Sequence, residues 1–468
     1  MNLKISLWLC ASALSEIALA QTIAPMRIPA TASPDFSAAL RQTPVAAGQT
    51  QSPLLTLTLQ DALARAQMTV PQLLAAVSDA NAAHEDLLQA RAAIRPSVSA
   101  RSEYLGTQGN GAFPTGRYVT NDGVHVYREW GLVHQDFTAA VTRTGIKRAG
   151  ESEVAARARA EITRRGLAVT VTRAYYALLS GQRKYATAQQ ALDQAKRYFD
   201  ISQSMERGGE VAHSDVVKAE LQVATQEQAF RDAQLAMDNA RLDVAVLLFR
   251  DFNQNFTVVD DLGLAPALPA LTEVQTMAER ENPDLRAANA ALRGARLDVT
   301  IARQAYLPSL TADFVYGIEA NAFALHSTVA ADPNKGPMPN LGYFLTVSLN
   351  VPVWDWGSRS SKVRQAVLKR DQANVELSAT QRGLIRNLLG FYQEAQTARE
   401  QADSLQHSVD LASESLRLNG LRYQSGEATI LELVDAQTAL TQARNAYVDG
   451  LSRYRLAVAN LQTLTGTF

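Results

Sequence analysis

The segment 342–357, GYFLTVSLNVPVWDWG, alternates apolar and polar side chains with the period of an extended chain. Tyr343, Leu345, Val347, Leu349, Val351 and Val353 fall on one face, and Phe344, Thr346, Ser348, Asn350 and Pro352 on the other. The first face is wholly apolar, and about eleven residues of this kind carry a tilted strand across a bilayer. The same alternation also fits a half-buried strand of a soluble sandwich. The next stretch of chain separates the two readings. From Trp356 to Arg422 apolar residues recur at steps of three and four. That spacing predicts one uninterrupted helix of about 67 residues, roughly 100 Å long. A strand feeding directly into such a rod is foreign to a sandwich.

The pattern occurs twice along the chain. Leu73, Ala76, Ala80, Ala83, Leu87, Ala90 and Ile94 form a helical stripe, and Leu285, Ala288, Leu292, Ala295, Val299, Ala302 and Tyr306 repeat it 212 residues later. Pro71 and Pro283 open the two helices at the same phase, which suits a first helical turn. IRPSVSA from Ile94 and YLPSLTA from Tyr306 then lead into strands. In the first, Val98, Ala100, Ser102 and Tyr104 oppose Arg101 and Glu103. In its counterpart, Leu310, Ala312, Phe314, Tyr316 and Ile318 oppose Ser309, Thr311, Asp313 and Glu319. The segments 106–123 and 320–340, rich in Gly, Pro and Asn, predict exposed hairpin connections. The second strand of the first half is expected at 126–136, with Trp130 and Leu132 on its apolar face. Arg128 interrupts that face and would snorkel near the membrane edge.

Beyond the hairpins the displacement becomes 217 residues: Leu167, Val171 and Leu178 match Leu384, Leu388 and Ala395. Steps of three and four over about five heptads predict coiled-coil packing. Gly145 and Gly150 predict a weaker start for the first long helix than for its counterpart. Glycine turns end the rods, RGGEV from Arg207 and QSGEA from Gln424, and a further heptad helix follows each. The predicted organisation is a leader at 1–20, a flexible extension at 21–53 and a first repeat at 54–250 with strands near 97–106 and 126–136. A less regular equatorial segment at 251–281, holding Pro266 and Pro269, then joins it to a second repeat at 282–468 with strands near 309–319 and 342–353. Each repeat reads helix, strand, strand, long helix, turn, helix.

Composition narrows the function. Lys4, the apolar run 5–14 and Ala18-Leu19-Ala20 form a secretory signal with an A-x-A cleavage site. The single cysteine, Cys10, lies inside it after Leu9, which does not suit a lipoprotein box, so the mature chain is expected to hold no disulfide. The net charge of −1 gives no sign of nucleic acid. No apolar run reaches the length of a transmembrane helix. The six histidines are scattered without ligand spacing, and no phosphate loop, nucleophile elbow or zinc-protease motif is present. We expect no enzyme, no cofactor and no metal.

Only helices and closed barrels satisfy the backbone within lipid, and the smallest membrane barrels have about eight strands. Four strands per chain must therefore be pooled. Three chains would supply twelve, with six nearly equivalent units around an axis. The alternative is a periplasmic coiled-coil structural or adaptor protein whose strands form a soluble domain, and an enzyme carried on a barrel is a third class.

These features together resemble the TolC-type outer-membrane factors, the trimeric channel-tunnels of efflux pumps and type I secretion systems. The matching residues are the paired PSV and PSL strand starts, PVWDWG at the strand-to-helix junction, SDVVKAE and LELVDAQ after the glycine turns, and L-x-x-L-T-G at 461–466. The likeness covers 57–466. The first half departs from it, with HQDFTAA from His134 at the junction. The resemblance implies a mainly α fold with a membrane β-barrel portion. It implies a homotrimer whose twelve-stranded barrel, set in outer-membrane lipid, continues as a periplasmic α-helical barrel. Its implied partners are a periplasmic adaptor (membrane fusion) protein and an inner-membrane transporter, and its cargo small molecules or proteins.

The same resemblance places Gly208, Gly209, Glu210, Gly426 and Glu427 at tips that meet the adaptor's helical hairpin. The local alternative is that the glycines only end helices as C-caps. Matching from Gly426 onward puts Glu432 and Asp435 at the tunnel constriction, where three chains would gather six cation-attracting carboxylates. Tyr423, Asp215 and Ser214 fall at the bonds that close the family's entrance. The arginine of that network falls on Ala428, so a Tyr423–Asp215 hydrogen bond contributing about 1 kcal/mol is the expected lock. The local alternative for Glu432 and Asp435 is service to the dipole of a helix start.

Overall fold

The four alternating segments pair into one antiparallel sheet, and the heptad segments become helices running away from it. This computed structural model describes residues 55–106, 125–251, 254–264, 266–320, 325–330 and 337–466. The leader at 1–20, the extension at 21–53 and the hairpin stretches 107–124, 321–324 and 331–336 lie outside the described residues. The first half runs β1 (Leu55–Leu57), α1 (Leu59–Thr69), α2 (Pro71–Ala92), β2 (Ser97–Gly106), β3 (His125–Asp136), α3 (Ala139–Arg207) and α4 (His213–Leu248). The second runs β4 (Phe256–Val258), α5 (Leu271–Glu281), α6 (Pro283–Gln304), β5 (Ser309–Ala320), the short pair β6 (His326–Ala330) and β7 (Pro337–Pro339), β8 (Leu341–Asn350), α7 (Ser358–Gln424) and α8 (Ile430–Thr465). None of the described helices is long and apolar enough to cross a membrane.

The segment 251–281, expected to be irregular, holds both β4 and α5. Displaced by 212 residues, α1 falls residue for residue on α5. Ala62 and Ala66 are buried in the first as Val274 and Ala278 are in the second. The duplication therefore includes a short helix before each proline-led one. Composition hides it: α1 has a Thr58–Asp61 capping box, whereas α5 has no side-chain cap. β4 pairs in parallel with β1 across two hundred residues, and the Tyr175 hydroxyl donates to the Val259 carbonyl at 2.7 Å, fixing this belt to α3.

The sheet order is β2-β3-β5-β8, all antiparallel. Its register sorts side chains onto two faces. Val98, Val133, Phe314 and Leu345 align across the four strands on one face, and Tyr343, Leu345 and Leu349 there are 75%, 62% and 65% exposed. The other face carries Glu103, Arg128, Asp313, Glu319 and Thr346. This overturns the expectation for β3: Trp130 and Leu132 lie with Arg128 on the polar face, and Tyr127, Gly131 and Val133 lie on the other, together with Glu129, which Ser102 hydrogen-bonds. The reason is pairing. Arg128 stands between Glu103 (2.9 Å) and Glu319 (3.0 Å) on the flanking strands. A one-residue slip would reverse every side chain and leave that charge among apolar neighbours. Arg128 therefore does not snorkel; it is paired in place.

Gly145 and Gly150 do not interrupt α3, which runs unbroken from Ala139 for 69 residues, roughly 100 Å. Packing on α6 overrides propensity there. Arg148 meets Asp298 at 2.7 Å, Arg293 meets Glu151 at 2.9 Å, and Gln304 donates to Thr144 at 3.0 Å. Asp136 accepts the Thr138 N–H at 2.7 Å just as Asp355 accepts the Gly357 N–H at 3.2 Å, each two residues on. HQDFTAA thus makes the strand-to-helix turn with the same carboxylate device as PVWDWG.

Further along α3, Arg165 reaches the end of α8 through the Thr463 carbonyl (2.8 Å) and pairs with Glu161 (2.8 Å). Arg164 and then Arg165 hold the Glu161 carboxyl down to about 2. A depressed carboxyl pKa means that the fold favours the ionised form. Its contribution is complete above the ordinary glutamate range and is lost as pH falls from there towards 2. Glu161→Gln is expected to lower stability by about 1–2 kcal/mol at pH 7 after solvent screening. The deficit should shrink towards zero by about pH 2, and denaturant titration of the detergent-solubilised protein at both pH values reads it directly.

Candidate functional site

Both helical hairpins turn by the same backbone device. In the first, Gly209 has φ +76°, the Gly209 N–H donates to the Glu206 carbonyl (2.9 Å) and the Glu210 N–H to that of Met205 (2.9 Å). In the second, Gly426 has φ +76°, the Gly426 N–H donates to Tyr423 (3.1 Å) and the Glu427 N–H to Arg422 (2.8 Å). These are paired Schellman closures, and only glycine takes that left-handed position without strain. The C-capping role is therefore physically realised at both turns. Gly208, Gly209, Glu210, Gly426 and Glu427 are all exposed.

The two turns sit together. Met205 of α3, Ala219 of α4, Leu416 and Tyr423 of α7, and Ile430 and Leu433 of α8 form one buried cluster, with Val211 and Ala428 of the turns packed against it. Tyr423 is 1% exposed and Ser202, on α3, is fully buried. Their hydroxyls meet at 2.6 Å, and Ser202 also donates to the Tyr198 carbonyl at 2.8 Å.

That contact replaces the expected lock. Tyr423 does not bond Asp215. The phenol points into the core, where Ser202 supplies the partner that a buried hydroxyl requires. Asp215 stays on the first turn of α4 and takes Lys218 at 3.0 Å along its own helix. Ser214 is exposed beside it. Ser202 carries no local sequence signal, because its role depends on which helix packs opposite.

Glu432 and Asp435 are both exposed on the first turns of α8. Glu432 completes a capping box with Thr429, whose hydroxyl accepts the Glu432 N–H at 3.4 Å. The T-x-x-E spacing announces that role in the sequence. Glu432 also receives Arg422 of α7 at 3.2 Å across the turn. Asp435 takes no ion pair among the described residues. Each protomer thus offers one compensated and one uncompensated carboxylate at this level. No group of His, Cys, Asp and Glu among the described residues has a metal-holding arrangement.

The outer membrane efflux protein family model matches residues 58–248 and 275–467. The outer membrane protein TolC of Vibrio cholerae is 24% identical over 415 residues, spanning 85% of this chain and 88% of that protein. The TolC of Escherichia coli is 22% identical over 418 residues, spanning 86% and 81%. Among solved structures, the outer membrane protein VceC from Vibrio cholerae superposes with a TM-score of 0.71 at 17% identity, covering 87% of this chain and 96% of that one.

Proposed function

Because this chain belongs to the outer membrane efflux protein family, we propose that three copies pool their strands into a twelve-stranded barrel that continues as a helical tunnel into the periplasm. The protein is the outer-membrane exit duct of an efflux pump. Its helical part is periplasmic, and it works with a periplasmic adaptor and an inner-membrane transporter.

The observation that carries the trimer is the unfinished sheet. Among the described residues β2 and β8 each have one unpaired edge, the apolar face is laid bare, and open edges are not tolerated in lipid. The exposed apolar face also speaks against a soluble adaptor. The helices repeat the argument. α3 packs against α4 and α8, and α8 against α7, so α4 and α7 form the flanks. Leu235 and Leu242 on α4, and Leu368 and Val375 on α7, lie exposed at heptad spacing. A second copy would cover both stripes, its α2 lying on the sheet-proximal half of α7 and the tip half of its α7 lying on α4.

The hairpin tips form the end of the tunnel furthest from the membrane, where Gly208 to Glu210 and Gly426 to Glu427 meet the adaptor. Glu432 and Asp435 line the constriction, with Asp215, Ser214 and Tyr423 around it. The Ser202–Tyr423 contact ties the second hairpin to α3 and serves as this chain's lock. Arg422 takes much of Glu432's charge, so Asp435 supplies most of the field on passing cations.

The test is planar-bilayer recording of protein shown by cross-linking to be trimeric. Asp435→Ala should relieve block by multivalent cations and lower cation selectivity more than Glu432→Ala does. The combined variant should lose about tenfold in blocker affinity. Wild-type block in the double variant would remove these carboxylates from the constriction, and a stable monomer with a closed barrel of its own would overturn the assembly.

A further inference from the structure

The polar face of the sheet, which lines the lumen if the strands close into the proposed barrel, changes character along its height. Near the helices His134 meets Asp313 across two strands at 2.6 Å. At the far end Arg128 bridges Glu103 and Glu319, and Arg101 meets Glu103 at 2.6 Å. Between these polar levels lies a band of another kind. Leu132, Val315 and Phe344 share one row with Ser99, and Trp130 shares the next with Gly317 and Gly342 on one side and Arg101, which leans outward to Glu103, on the other.

The two glycines matter to the geometry. They put no side chain beside Trp130, so its indole leans over β5 and meets the Phe344 ring edge to face, with centroids 6.1 Å apart and planes at 86°. Val315 is buried under them at 5% exposure, while Phe344 remains 47% exposed. The Arg128 guanidinium stacks on the indole at 5.5 Å and fixes its outer edge. Two cations and two carboxylates compensate one another at the outer level, so little net charge there selects ions. The wall of a water-filled barrel is ordinarily polar, so the 47%-exposed Phe344 ring packed against Trp130 offers a solute an aromatic contact there.

We propose that Trp130 and Phe344, resting on Leu132 and Val315, form a binding patch in the barrel lumen for small molecules carrying a planar aromatic ring. The patch holds its solute by stacking and apolar contact, three patches per trimer, at the last stage before release. The proposal rests on the reading of this face as the lumen. The competing role for Trp130 is to cover the backbone at Gly317 and Gly342 and nothing more.

The experiment uses the trimeric protein in lipid nanodiscs with Trp354→Phe and Trp356→Phe. Trp130 is then the only tryptophan after the leader, since the remaining one of the chain's four is Trp8. Ethidium is titrated while Trp130 fluorescence is read. The expected result is saturable quenching whose midpoint weakens about fivefold when Phe344→Leu keeps the apolar bulk but removes the ring. His134→Asn, on the same face but outside the band, should leave the midpoint unchanged. Linear, unsaturable quenching, or a midpoint indifferent to Phe344→Leu, overturns the patch and leaves Trp130 as a cover for glycines. Cross-linking and single-channel conductance on the same sample keep the two readings apart. A conducting trimer without saturable quenching sinks only the patch, and a sample that neither cross-links as a trimer nor conducts sinks the barrel and the patch together.

Discussion

Gly317→Ala is expected to remove folded protein from the outer membrane, while Gly131→Ala and Gly342→Ala leave it there. All three glycines lie in the same sheet, so the comparison isolates local space from strand propensity. A Cβ at Gly317 would overlap the Glu129 carbonyl oxygen and lie 2.8 Å from the Trp130 Cα, both backbone atoms of β3. A Cβ at Gly131 would meet nothing nearer than the Tyr316 carbonyl at 3.6 Å, and one at Gly342 meets nothing within 4 Å. The overlap at Gly317 can be relieved only by moving β3 away from β5, which breaks the central pairing of the sheet. Within lipid each backbone group so freed costs several kcal/mol. The alanine at Gly131 or Gly342 should change stability by less than about 1 kcal/mol, in either direction. Outer-membrane fractionation followed by heat-modifiable migration on a gel distinguishes the three variants. Normal accumulation of Gly317→Ala would mean that β3 and β5 are not held at this separation.

Leucine at both Gly209 and Gly426 is expected to abolish efflux while leaving trimers in the membrane. Each substitution puts an L-residue into a left-handed cap, at a cost of about 1–2 kcal/mol. A helix end whose buried cluster is otherwise intact tolerates that. Nothing lies within 4 Å of either Cβ position, so the new side chains project outward from the tips and repack nothing inside. What they do change is how closely another helical hairpin can approach the turn. The measurement is survival of cells on an exported toxic dye, alongside cross-linked trimer yield. Unimpaired survival with normal trimers would restrict both glycines to capping, and loss of the trimer would trace the defect to folding.

The capping chemistry at these turns was readable because it is local. Glycine after a heptad run, followed by T-x-x-E from Thr429, closes one helix and opens the next through atoms a few residues apart. The long helices were readable for a related reason. A period of three and four repeated over many turns outweighs single unfavourable residues, and α3 passes through Gly145 and Gly150 without a break. The duplication was legible from its constant displacements, which also carry α4 onto α8 residue for residue. It was not followed into α1 and α5, because those helices share buried positions but almost no residue identities.

What the sequence determined by itself, then, was what long runs of short-range periodicity set: the long helices, the four sheet strands, that the unit occurs twice, and that four strands cannot close alone. What the tertiary structure decided was every feature set by a partner far along the chain. Arg128 looked like a blemish on an apolar face until Glu103 and Glu319 on neighbouring strands turned it to the other side and took Trp130 with it. Tyr423 found Ser202, more than two hundred residues away, in place of Asp215. Arg422 reached back across a turn to claim Glu432. A strand's alternation defines two faces but not which of them meets lipid, and a buried hydroxyl must find a partner without the sequence naming it. Both are settled by register and packing, where an unpaired charge or an unsatisfied polar group among apolar neighbours costs more than any local preference.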